Sequence, residues 1–128
     1  MSEKEAVLNA MRRVIDAVNS GENSAGLSGM SENVVIIDDV APFQRTGLDE
    51  AEQWFRRLAN ARSHMHASLS LDTADVQVSG GRAYIVAPGR LQGQLTAGDY
   101  EVSGVVTSTL VERDGKWLVD SLVWSSGR

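Results

Sequence analysis

Apolar residues recur at helical steps over the first twenty positions of this chain. Val7, Met11, Val14, Ile15 and Val18 fall three or four apart and so share one helix face. Ser2 and Glu5 stand at capping-box spacing ahead of that stripe, and Asn19-Ser20-Gly21 follows it, glycine readily taking the left-handed conformation that closes a helix. The pattern predicts a helix over Glu3–Ser20. Glu22–Ser31 is ambiguous: Leu27 and Met30 could share one side of a short second helix, but Gly26 and Gly29 weaken it. The β-branched run Val34-Val35-Ile36-Ile37 then predicts a buried strand over Asn33–Asp38. Pro42 and Gly47 mark the loop after it. Thr46 with Asp49 resembles a second capping box, before a stripe of Ala51, Trp54, Phe55 and Leu58 that predicts a helix over Leu48–Ala61.

From His64 the period changes to two. Met65, Ala67, Leu69 and Leu71 alternate with polar residues, and then the phase slips to Ala74, Val76 and Val78. Such a slip needs one extra residue, which predicts a β-bulge near Asp72-Thr73. Gly80-Gly81 turns the chain, and Ala83, Ile85, Ala87, Leu91 and Leu95 alternate along a long strand whose Pro88-Gly89 suggests an edge position or another bulge. Thr96-Ala97-Gly98-Asp99 is the next turn. The strand from Tyr100 to Glu112 is apolar on both sides around Val105-Val106, as a central strand would be, and Asp114-Gly115 is a hairpin signal before a last strand from Lys116 to about Ser125.

Helices first and strands last make an α+β domain, with helices against one face of a curved antiparallel sheet and a hydrophobic pocket at its open end. At 128 residues the chain is read as a single domain, 1–128. No stretch approaches the roughly 18 apolar residues that span a bilayer, and Met1-Ser2-Glu3-Lys4-Glu5 lacks the start of a signal peptide. With no cysteine there is no disulfide, thiol nucleophile or thiolate metal site. These features suggest a cytoplasmic protein without membrane association. Net charge is −5, and Arg12-Arg13 and Arg56-Arg57 sit among acidic neighbours, so nucleic acid is not an expected partner. Gly80-Gly81 and Gly89 to Gly93 lie in strand context rather than in strand-to-helix turns, so no nucleotide cofactor is expected.

The chemistry-bearing feature is Asp38-Asp39 at the end of the apolar strand. A carboxylate there is half removed from water, a setting suited to proton transfer. Alternation puts Asp38 on the face of Val34 and Ile36, and Asp39 on the face of Val35 and Ile37, so one of the two is expected to face the pocket. Local Asx-type capping of the loop is the competing role. His64 and His66 leave the same strand face, but a catalytic metal needs about three protein ligands, and partly exposed histidines near a strand start are the simpler reading. Trp54, Phe55 and Trp124 are aromatic residues that serve as core or as pocket lining.

The order of elements resembles the nuclear transport factor 2-like superfamily, with its ketosteroid isomerases, scytalone dehydratase and SnoaL-like cyclases. The residues that carry this are Ala17-Val18-Asn19-Ser20-Gly21, the Val34–Asp38 strand with its Pro42-to-Gly47 loop, Gly47 leading to Trp54-Phe55, and Arg113-Asp114-Gly115-Lys116-Trp117-Leu118-Val119. The resemblance implies a cone-shaped, cystatin-like fold and an apolar small molecule as ligand. It also implies a homodimer formed through the sheet, with Trp117 on the dimer face. It matches Asp38 to the catalytic base of the ketosteroid isomerases. The positions of that family's two oxyanion donors fall at Val14 and about Thr107, and a valine cannot donate, so ketosteroid isomerisation itself is not expected. His66 could act with Asp38, as histidine–aspartate pairs do in similar dehydratases and cyclases. Two functions follow: a cofactor-independent isomerase, dehydratase or cyclase with Asp38 as general base, or a non-catalytic ligand-binding or oligomerisation module on the same scaffold.

Overall fold

The first helix folds as its pattern predicts. In the computed structural model, which describes residues 2–127 with the side chains of His64 and Met65 excepted, α1 spans Glu3–Ser20. Its Ser2/Glu5 capping box is formed in both directions, and Gly21 closes it at φ 78°. The ambiguous stretch is a short helix, α2 (Asn23–Ser28). Gly26 is there for contact: a Cβ on it would stand 2.3 Å from Cζ of Phe55. Strand β1 (Met30–Ile37) starts three residues before the predicted boundary.

The loop after β1 holds a strand that the sequence pattern did not reveal. This is β2 (Gln44–Thr46), antiparallel to β1 with Arg45 opposite Ile36. Thr46 therefore caps nothing. Its own N–H is taken by the Glu50 carboxylate at 2.7 Å, and Gly47 is the N-cap of α3 (Leu48–Met65). That helix runs one turn past the predicted end. No glycine or proline interrupts it near Ala61, and Arg62 anchors its last turn by donating to the Val18 carbonyl at 2.9 Å. His66 ends it in the left-handed conformation, at φ 49°.

The remaining strands are β3 (Ser68–Leu71), β4 (Asp75–Ser79), β5 (Arg82–Leu95), β6 (Gly98–Arg113) and β7 (Lys116–Ser126). The predicted bulge is present: Leu71 pairs with Gly89 and Asp75 with Val86, so residues 72–74 stand opposite Ala87 and Pro88. Pro88 lies within β5, in register with Val105 of β6, rather than at an edge or a bulge of its own. Its carbonyl accepts from the Asp72 N–H, so the amide hydrogen that proline lacks falls at the break in the outer strand. The sheet order is β2-β1-β7-β6-β5-β3, with β4 also on β5. The β1–β7 pairing is parallel, so the sheet is mixed rather than wholly antiparallel.

The core lies between the inner sheet face and the helices. It joins Val7, Met11 and Val14 of α1 and Phe55 of α3 to Ile36, Ile85, Val106 and Val119. Trp117 is part of it, only 6% exposed, and not on the outer face. A second bulge is responsible. Thr109 pairs with Ser121 but Leu110 pairs with Val119, which leaves Asp120 as an extra residue and reverses the phase of β7. Among the described residues no helix is long and apolar enough to cross a membrane.

Candidate functional site

The helices and sheet do not meet everywhere. A cavity of about 150 Å³ remains between them, walled by Ile15 and Val18 of α1, Leu58 of α3, and Leu69, Leu91 and Leu122 of the sheet. An apolar void of this size accommodates a guest as large as benzene, whereas drug-sized ligands occupy roughly 300–1,000 Å³. The room is for one ring or a short branched chain.

The polar end comes from β1 and its loop. Asp38 continues the inward face of Val34 and Ile36, as alternation predicts, and lines the cavity with its side chain 12% exposed. Its Oδ1 accepts from Arg45 Nη1 at 3.1 Å and from the Val40 amide at 3.1 Å, and its Oδ2 accepts from Trp54 Nε1 at 3.0 Å. Each donor is put there by local structure. The β1–β2 register sets Arg45 beside Ile36, the Asx turn brings back the amide two residues on, and α3 carries Trp54 over the strand end. An ionised carboxylate has about four acceptor positions. Three are filled, and one remains on Oδ2. Arg45, 6% exposed, keeps a buried Nη2 with no partner among the described residues.

Asp39 is also at the cavity, although alternation allowed only one of the pair. It sits at the exposed rim because the chain leaves the strand geometry after Ile37, and its Oδ2 accepts from Ser126 Oγ at 2.8 Å.

Trp124 forms one wall, seated on two glycines. Gly89 and Gly104 face each other across β5 and β6. A Cβ on Gly104 would come within 2.6 Å of Trp124 Cη2, and one on Gly89 within 3.6 Å of Cζ3. The missing side chains let the indole rest against the sheet backbone instead of standing in the cavity.

Of the residues singled out from sequence, the structure brings Asp38, Trp54 and Trp124 together at the cavity. Four others lie elsewhere. Val14 is fully buried against α2, where a Cβ on Gly29 would lie 3.0 Å from its Cγ2, and the helical rotation gives the cavity wall to Ile15 and Val18 instead. Phe55 packs on Gly26 and edge-on to Trp54, with ring centroids 5.1 Å apart. Thr107 is on the outer sheet face, opposite Val86 and Val123, while its neighbour Val106 faces in. His66, the exposed cap of α3, lines a separate groove with Asp99 and Tyr100 and not the cavity that Asp38 lines. The side chain of His64 lies outside the described residues, and among those described no three His, Asp or Glu side chains group as a metal site. Arg45 was missed, because a lone arginine in a proline-containing loop gives no sign that three residues around it form a strand.

No family model matches this chain, and no curated protein matches it. Solved structures do. The CaMKII hub of S. rosetta superposes with a TM-score of 0.85 at 21% identity, over 99% of this chain and 98% of that one. A nuclear transport factor 2-like protein of cystatin-like fold from Novosphingobium aromaticivorans gives 0.85 at 12% identity, covering 97% and 81%. A scytalone dehydratase candidate from the same organism gives 0.83 at 14% identity, covering 98% and 85%. The chain has the nuclear transport factor 2-like, cystatin-like fold, a scaffold shared by proteins described as dehydratases, as ketosteroid isomerases and as hubs.

Proposed function

We propose that this protein binds a small, largely apolar molecule carrying one hydrogen-bond donor, and that Asp38 is a fixed acceptor for that donor. The observation that carries this reading is the state of the carboxylate: Arg45, Trp54 and the Val40 amide hold it in place and leave one acceptor position. The reading of Asp38 as a general base in an isomerase, dehydratase or cyclase has less support. Among the described residues the lining offers no histidine, lysine, tyrosine or serine to act with it, and Val14 and Thr107 are not at the cavity. A steroid, with four fused rings, exceeds a space of about 150 Å³.

The outer sheet face supports pairing of two copies, the oligomerisation half of the reading. Ile37, Tyr84 and Val86 are 37%, 50% and 44% exposed there, next to Val105 and Val123. Exposed apolar side chains gathered on one sheet face, here with Thr107 between Val86 and Val123, are what an interaction site offers.

Titration of the protein with benzyl alcohol, followed through the indole N–H resonances, tests the binding site. Trp54 and Trp124 are expected to shift together and saturably, while Trp117, on the far side of the core, stays still. Absence of any shift at Trp54 and Trp124 at millimolar ligand would remove the proposal.

A further inference from the structure

The polar end of the cavity carries an unbalanced negative charge. Among the described residues two charged side chains line the cavity, Asp38 and Asp39. Asp38 is balanced by Arg45 behind it. Asp39 accepts only from the neutral Ser126 hydroxyl and has no cation within ion-pair distance among the described residues. Another cation tied to this loop, Arg57, gives its Nη1 to the Ala41 carbonyl and does not line the cavity. A guest whose apolar body fills the walls therefore presents its polar group to a net charge of one negative, next to an acceptor position still open on Asp38.

We infer that the ligand is a small amine bound as its ammonium ion, a single ring or short branched chain bearing one cationic nitrogen. This rests on the cavity being the binding site. An ammonium group has donors and no acceptor, which suits two carboxylates that offer only acceptors. Ammonium and hydroxyl both make charge-assisted hydrogen bonds to a carboxylate, but only the ammonium adds a Coulomb attraction to the unpaired charge of Asp39. A carboxylate-bearing guest of the same size fails on both counts, since it brings no donor for Asp38 and is repelled by Asp39.

Three probes of nearly one shape separate these cases: benzylamine, benzyl alcohol and benzoate, titrated calorimetrically into the wild-type protein at neutral pH. Benzylamine is expected to bind about tenfold tighter than benzyl alcohol, because the neutral guest lacks the Coulomb attraction to Asp39, and benzoate weakest of the three. Asp39→Asn should collapse the amine-to-alcohol ratio. Raising the salt concentration should lower the same ratio, because the rim is solvent-exposed and its charge is screened. If benzyl alcohol binds as tightly as benzylamine, or benzoate tighter than both, the charge inference is overturned while the cavity remains the binding site. If none of the three binds, the cavity reading falls, and this inference with it.

Discussion

Neutralising Asp38 should destabilise the protein, and the size of the loss can be worked from its three donors. In Asp38→Asn the side chain keeps its shape but has one oxygen. If that oxygen stays with Arg45 and the Val40 amide, the new NH₂ group faces the Trp54 Nε1–H, donor against donor. An orphaned, part-buried N–H costs about 1–3 kcal/mol. The loss of charge beside Arg45 adds to it, since that guanidinium is 6% exposed and already has one unpaired nitrogen. Removing one partner of a fully buried pair costs about 3–5 kcal/mol, but Asp38 is 12% exposed and the asparagine oxygen stays on Arg45, so the charge loss adds about 1 kcal/mol. A total of about 2–4 kcal/mol follows. For 128 residues, 1 kcal/mol moves Tm by about 4 °C, so the expected drop is about 8–16 °C, read by circular dichroism and checked by urea unfolding. Asp38→Asn with Arg45→Met should recover much of it, because the methionine needs no acceptor and frees the asparagine oxygen to take the Trp54 N–H. A carboxylate held in place for catalysis at a cost to stability behaves oppositely, its neutralisation leaving Tm unchanged or raised. Melting of Asp38→Asn at or above the wild-type temperature would refute the anchor reasoning.

Other substitutions probe the walls and faces. Trp124→Leu should enlarge the cavity and admit 1-naphthol, which wild type excludes; equal calorimetric affinities in the two proteins would show that Trp124 does not limit size. Gly26→Ala gains about 1 kcal/mol of helix propensity but drives a methyl group into the Phe55 ring. Overpacking costs about 1–3 kcal/mol, so Tm should stay level or fall, and a rise would mean that α2 yields freely. Val86→Glu, at a position 44% exposed on the outer sheet, should convert a dimer to a monomer in sedimentation velocity. A wild-type protein that sediments as a monomer at all concentrations would remove that face from the account.

The fold was legible wherever local periodicity and long-range packing agree. The α1 stripe, its two caps, the bulge after Leu71 and the Asp114-Gly115 hairpin all appear in the structure where the pattern puts them. What failed depends on partners distant in sequence. The Asp120 bulge, which turns Trp117 inward, is fixed by Ser108 donating to the Ser121 carbonyl and by Ser31 donating to Asp120, and neither contact leaves a periodic trace. The same holds at the site. Alternation brings Asp38 inward, but the donors that occupy it come from a three-residue strand and a helix, and only tertiary structure joins them. Transfer of helix and strand positions from the ketosteroid isomerases missed by one residue at both Val14 and Thr107, where Ile15 and Val106 line the cavity. One residue is about 100° on a helix and a whole face on a strand.

What occupies the cavity is the most direct test of binding by Asp38. A crystal structure of the protein grown with benzyl alcohol measures this in one step. It should show the ring between Leu58, Leu122 and Trp124 and the hydroxyl donating to Asp38 Oδ2, with the Arg45 and Trp54 bonds to Asp38 intact. A cavity left empty at saturating ligand, or a ligand seated only after Arg45 or Trp54 has released the carboxylate, would contradict it.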